Sequence, residues 1–117
     1  MKRFLIAVSI VALSGCSTIK QYWPKNHDPV MFNQLVEIDL AIEKQACESP
    51  TWHLVIPKAE QLARYAEWRY DPQATNLKGL HQHVVRMDKG GSKTFCEIGK
   101  KTAQQRIQAT RTAWEGR

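Results

Sequence analysis

Two Asp-Pro dipeptides, Asp28-Pro29 and Asp71-Pro72, each stand ahead of apolar residues repeating at steps of three and four, and this pattern commits the chain to helices. A carboxylate there can cap the first amides of a helix, and a proline at the first helical position needs no donor. After Asp28-Pro29, Met31, Phe32, Leu35, Val36, Ile38, Ile42 and Ala46 recur at helical spacing, which predicts a first helix ending near Glu48, before Pro50. A second runs from about Ile56 to Tyr70 with Pro57 in its first turn. Ala59, Leu62, Ala63, Ala66 and Tyr70 share one of its faces, and Trp68 lies toward another. Trp52 to Val55 read as a packed connector or a bent first turn. After Asp71-Pro72, Leu77, Leu80, Val84 and Met87 mark a third helix, stopped by Gly90-Gly91. Thr94-Phe95-Cys96-Glu97 matches a capping box opening a fourth, which continues through Ile98, Gly99, Thr102, Ala103, Ile107 and Thr110 to about Trp114. Gly99 and Ala103 leave a flat strip where another backbone can approach. Strand-like alternation never persists, and no internal repeat is evident. The expected fold is all-α: a small up-down-up-down four-helix bundle over residues 28–117.

The region before Asp28 has a different character. Lys2 and Arg3 precede an apolar run from Phe4 to Ala12, and small residues lead directly into Cys16. That is the layout of a secretory signal, and the run is too short to span a bilayer comfortably. Leu13-Ser14-Gly15-Cys16 resembles a bacterial lipobox, the site at which lipoprotein signal peptidase cuts. The resemblance implies a signal peptide over 1–15, a lipidated Cys16 as the mature N-terminus and a tether over 16–27. An ordinary signal or a short anchor with an incidental cysteine is the other reading. Ser17 follows Cys16 where an aspartate usually retains such lipoproteins at the inner membrane, so the resemblance implies the periplasmic leaflet of the outer membrane. Tyr22 and Trp23 in the tether either lie at the headgroup level or cap the folded domain.

Export changes how the other cysteines are read. With Cys16 assigned to lipid, Cys47 and Cys96 remain. Pairing is the default in an oxidising compartment, two buried thiols the alternative. No CxxC or Cys/His cluster accompanies them to suggest a metal. In an up-down-up-down bundle the end of the first helix and the start of the fourth lie at the same end, so a Cys47–Cys96 bond fits that topology.

Cleavage before Cys16 leaves 102 residues, one modest domain, with 15 basic against 11 acidic side chains. The excess lies at the end of the chain: Lys89, Lys93, Lys100, Lys101, Arg106, Arg111 and Arg117 face only Glu97 and Glu115 there. An envelope location removes nucleic acid as the usual partner of such charge. Anionic envelope components or an acidic protein face replace it, with an ordinary solvated helix as the plain alternative. The second helix and its connector are rich in aromatics (Trp52, Tyr65, Trp68, Tyr70). Most of these fit a core, while Trp68 flanked by Arg64 and Arg69 has the composition of a contact patch. The candidate interaction residues are therefore Arg64, Trp68, Arg69, Lys100, Lys101, Arg106 and Arg111.

Catalytic constellations are not evident. His81 and His83 lie about 200° apart on a helix, cannot share an ion and read as surface residues. His27 and His53 lie in tether and connector without ligands at suitable spacing. Asp39 falls within the apolar register of the first helix, either as a buried acid or at the stripe's edge, paired with Arg64 or Arg106. No nucleophile elbow occurs, and Gly90-Gly91-Ser92-Lys93 lacks the spacing of a phosphate loop.

A broader resemblance rests on a helix ending near Cys47, on Tyr65-Ala66-Glu67-Trp68, and on Thr94-Phe95-Cys96-Glu97 followed by Lys100-Lys101. Together these are similar to small uncharacterised helical lipoproteins of bacteria and their phages, and they imply no activity. The expectation is a non-catalytic, lipid-anchored binding or adaptor protein of the cell envelope, with no cofactor. Its partners would be the membrane, through the lipid, and an envelope protein or anionic component. A phage-encoded envelope factor, for superinfection exclusion or lysis, and a cell-wall-acting enzyme are the alternatives.

Overall fold

Asp28 does what a carboxylate before a proline is expected to do. Its Oδ1 accepts the amides of Val30 (2.9 Å) and Met31 (3.3 Å), opening helix α1, Pro29–Glu43. The computed structural model describes residues 28–116, so the signal segment, Cys16, the tether with Tyr22 and Trp23, and Arg117 lie outside the described residues. Three more helices follow: α2, Ile56–Trp68; α3, Ala74–Asp88; and α4, Lys93–Glu115. A single 3-10 turn, Trp52–Leu54, leads into α2. All the regular structure among the described residues is helical.

Each helix buries most of the stripe that its periodicity marked. Met31, Leu35, Ile38 and Ile42 come from α1, and Ala59, Leu62, Ala63 and Ala66 from α2. Leu77, Leu80, Val84 and Met87 come from α3, and Cys96, Ala103, Ile107 and Trp114 from α4. The connector supplies Trp52 and Val55, both fully buried, so it is a packed element of the core. Neighbouring helices pack in chain order and α1 closes the ring against α4. The links between their ends show the alternating directions. The end of α2 meets the start of α1 through Arg69 and Asp28, and Glu67 near that end pairs with Lys78 of α3 at 2.7 Å. Trp114 at the end of α4 donates its indole N–H to Asp71 ahead of α3, at 3.2 Å. The fold is the expected up-down-up-down bundle.

Cys47 and Cys96 form a disulfide, with Cα atoms 5.6 Å apart. Cys96 lies in the first turn of α4, as expected, but Cys47 lies in the turn after α1, not on its last turn. The helix stops five residues short of Glu48 because other groups take its terminal partners. The Lys100 ammonium donates to the carbonyls of Glu43 (3.1 Å) and Gln45 (2.9 Å). The buried Gln45 amide bridges Ala41 O and the Thr51 backbone N–H. Ala46 is consequently exposed, as is Val36 on the solvent side of α1.

Other helix ends also differ from the sequence pattern. Ser92, not Thr94, caps α4: its Oγ accepts the Phe95 amide at 3.0 Å. Asp71-Pro72 does not open α3 directly. The Asp71 carboxylate accepts the Gln73 amide at 2.9 Å in an Asx turn, and the helix begins two residues later than a proline at its first position would give. Gly90 ends α3 in the left-handed region, φ 94°. The Gly99 strip on α4 is filled by Met87, whose Sδ and Cε occupy the space a Cβ would need. Ile98, one residue earlier, points to solvent.

Candidate functional site

Gln61, Arg64, Tyr65 and Trp68 form a stripe along α2 at helical spacing, Tyr65 packed in part against the core and the other three exposed, and with Glu60 they line an open recess of about 340 Å³. Tyr65 ties the stripe to the start of α1 by donating its hydroxyl to Asp28 Oδ2 at 3.2 Å. Arg69 makes an ion pair with the same oxygen. Asp28 therefore caps α1 and collects the end of α2. Burial raises the Asp28 pKa, but the Met31 and Val30 amides, the Arg69 charge and the Tyr65 hydroxyl outweigh it and hold the carboxyl below its ordinary value.

Immediately after Arg69 the backbone reverses. Tyr70 N–H donates to Glu67 O (3.0 Å) and Asp71 N–H to Ala66 O (2.9 Å), the paired bonds of a Schellman ending. The residue at the left-handed position of such an ending is usually glycine. Here it is Tyr70, with φ 56°, the one non-glycine positive φ among the described residues. Its ring does not join the core face of α2 as the periodicity predicted, because the helix has ended at Trp68. Tyr70 is 82% exposed and Trp68 75% exposed, the two most exposed large apolar side chains described.

The basic candidates fall into two groups. Arg69, Lys100 and Arg106 are engaged in the fold's own joints: Arg69 with Asp28, Lys100 with the carbonyls ending α1, and Arg106 with Asn76 Oδ1 (3.3 Å), its guanidinium lying over Gly79. Arg64 and Arg111 are exposed and each pairs within its own helix, with Glu60 at 2.9 Å and Glu115 at 2.8 Å. Lys101 is exposed and lines a second open recess with Gln104, Gln105 and Gln108. The seven residues are thus not gathered into one patch, and most of the charge of α4 is already partnered.

Asp39 does not pair with Arg64 or Arg106, whose partners are Glu60 and Asn76. It lies half-buried, and its pKa is raised by burial and by the neighbouring Glu43 charge, against a pull downward from Arg111. His83 is a second correction. It is buried against α4, its Nε2 2.8 Å from the Gly99 carbonyl, so that nitrogen carries the hydrogen. The signal was available: His83 falls inside the Leu80, Val84, Met87 stripe. No group of three or more metal-ligating side chains occurs among the described residues. No helix among them is long and apolar enough to cross a membrane. Comparison with known proteins returns no match to a family model, a curated protein or a solved structure.

Proposed function

We propose that this is a lipid-anchored binding or adaptor protein of a bacterial cell envelope. Acylated Cys16 holds it in the periplasmic leaflet of the outer membrane, and it works by engaging an envelope partner, without bond-making chemistry of its own. One observation carries the reading. The Cys47–Cys96 bond uses two of the three cysteines, and the third stands at the end of the apolar N-terminal run, within a lipobox-like tetrapeptide. Disulfides persist in oxidising compartments, which is where such a signal would deliver the chain. On this reading the partner-facing side is the solvent face of α4, where Lys101 and its neighbouring glutamines are not drawn into joints between helices.

Mass spectrometry of the protein from the membrane fraction tests this directly. The expected species begins at Cys16, carries acyl chains and contains no free thiol at Cys47 or Cys96. Cys16→Ser should abolish the acyl mass and release the protein from the membrane. A chain that retains Met1 without lipid overturns the anchoring. Cross-linking in intact envelopes tests the adaptor role: a partner captured through Lys101 supports it, and recovery of this chain alone counts against it.

A further inference from the structure

The four-helix ring has two ends, and they differ in what they offer. One carries the disulfide and the Gly90 turn. The other gathers the start of α1, the end of α2, the start of α3 and the end of α4, through the Asp28–Arg69, Tyr65–Asp28 and Trp114–Asp71 contacts. At this second end Trp68 and Tyr70 stand out into solvent on either side of Arg69, whose side chain is only about one-third exposed.

We propose that this end of the bundle rests in the headgroup layer of the membrane that anchors the protein, with Trp68 and Tyr70 as its contact residues. The proposal takes the acylation of Cys16 from the reading above. Its occupant is a lipid surface because of where the remaining chain leads. Residues 17–27 alone separate Cys16 from Asp28, and at full extension they reach about 40 Å. The disulfide end lies farther from the anchor by roughly the length of α4, about 35 Å for its 23 residues. The tether enters the bundle at the Asp28 end, so that end stays within about 40 Å of the bilayer, whereas the disulfide end can stand about 35 Å beyond it.

The side chains suit that place. Trp and Tyr concentrate at membrane–water interfaces because an apolar ring body and a polar edge are both satisfied there. The backbone adds an independent argument. Tyr70 occupies a left-handed position in which glycine is far easier, and its ring receives little burial from the bundle in return. A surface outside the protein gives that ring its use. The cations nearby are already paired, Arg64 with Glu60 and Arg69 with Asp28, so the contact depends on the rings more than on anionic lipid.

The test uses the mature, acylated full-length protein with Trp23→Phe, so that Trp68 is the exposed indole while Trp52 and Trp114 remain buried. It is reconstituted into phosphatidylethanolamine/phosphatidylglycerol vesicles, with or without phosphatidylcholine brominated on its acyl chains. The expected result is loss of Trp68 emission in brominated vesicles, most of which disappears when Trp68→Phe is added. Equal emission in both vesicle types, with Trp68 open to aqueous iodide, overturns the proposal. Shielding of Trp68 from bromine and iodide alike also overturns it, and assigns the surface to residues 17–27 or to a second copy of the chain. The acyl mass measured on the same sample separates the two readings: a missing acyl group defeats the anchoring itself, whereas acylated protein without quenching defeats this proposal alone.

Discussion

Replacing Tyr70 with glycine should make the protein more stable, although it removes a large aromatic ring. Tyr70 holds φ 56° at the end of α2, and an L-residue there costs about 1–2 kcal/mol through the crowding of Cβ against the following carbonyl. Glycine escapes that crowding but gives back about 0.5–1 kcal/mol because its unfolded chain is freer. The ring itself is 82% exposed, so little burial is forfeited. The balance is a gain of about 0.5–1 kcal/mol, which for a domain of this size raises the melting temperature by about 2–8 °C. Thermal unfolding of the purified protein in non-ionic detergent, followed by far-ultraviolet circular dichroism, reads it. Tyr70→Ala is the control, since alanine keeps the backbone crowding and loses the ring; it should give no gain. Equal gains for Ala and Gly would trace the effect to the ring. A lower melting temperature for Tyr70→Gly would refute the reasoning outright, because it would mean that the tyrosine is held by packing.

Three further expectations follow from the joints of the bundle. Reducing the Cys47–Cys96 bond, or replacing both cysteines with serine, should cost about 4 kcal/mol by the chain-entropy estimate for residues 49 apart, read as a fall in the urea midpoint; an unchanged midpoint would show that the bond adds nothing. Asp28→Ala removes a helix cap and leaves Arg69 without its carboxylate, an expected loss of about 2 kcal/mol at neutral pH once the partial exposure of Arg69 is allowed for. Because the folded Asp28 pKa lies below 3.8, its contribution is full above that value and fades as the pH falls through the folded pKa. Melts of wild type and Asp28→Ala should therefore converge in strong acid; a constant gap would exclude the carboxylate as the source. Asp39 has the opposite sign, since its folded pKa is raised and its charge opposes folding above the ordinary value of 3.8. Asp39→Asn should raise the melting temperature at pH 7 and have no effect at pH 2, and a loss of stability at pH 7 would contradict that assignment.

The existence of the four helices was legible because apolar periodicity reports a local need: each stripe must find cover, and Met31, Leu62, Leu80 and Ile107 found it where the pattern said. The Asp28 cap is local and was legible, but other helix ends are settled by partners distant in sequence, and these leave no local mark. Nothing near Glu43 announces that Lys100 will cap α1, and nothing near Asp71 announces the Trp114 indole. The Tyr70 error has the same origin, since a face inferred from helical phase holds only while the helix continues, and α2 ends two residues earlier. His83 is a different case. It falls in register with Leu80, Val84 and Met87, and a carbonyl on a neighbouring helix is enough to receive a polar ring there. The separation of about 200° from His81 excludes a shared ion and says nothing about which of the two is buried. The candidate surface was read in part. Trp68 was recognised from its composition, while the charged residues around it could be sorted into joints and free groups only once their partners were located.

The disulfide also determines how this bundle would behave under tension. A pull arriving from the N-terminal side loads α1 at Asp28, where the Arg69 and Tyr65 contacts would give way first and the helix would peel off turn by turn. Peeling must stop at Cys47, because the covalent link passes the load to Cys96 and bypasses everything between. Residues 48–95, which contain α2 and α3, carry none of it while the bond is intact. The protein would thus lengthen by the segment from Asp28 to Cys47, about 65 Å at full extension, and then stiffen, with α1 free to re-zip when the load is released.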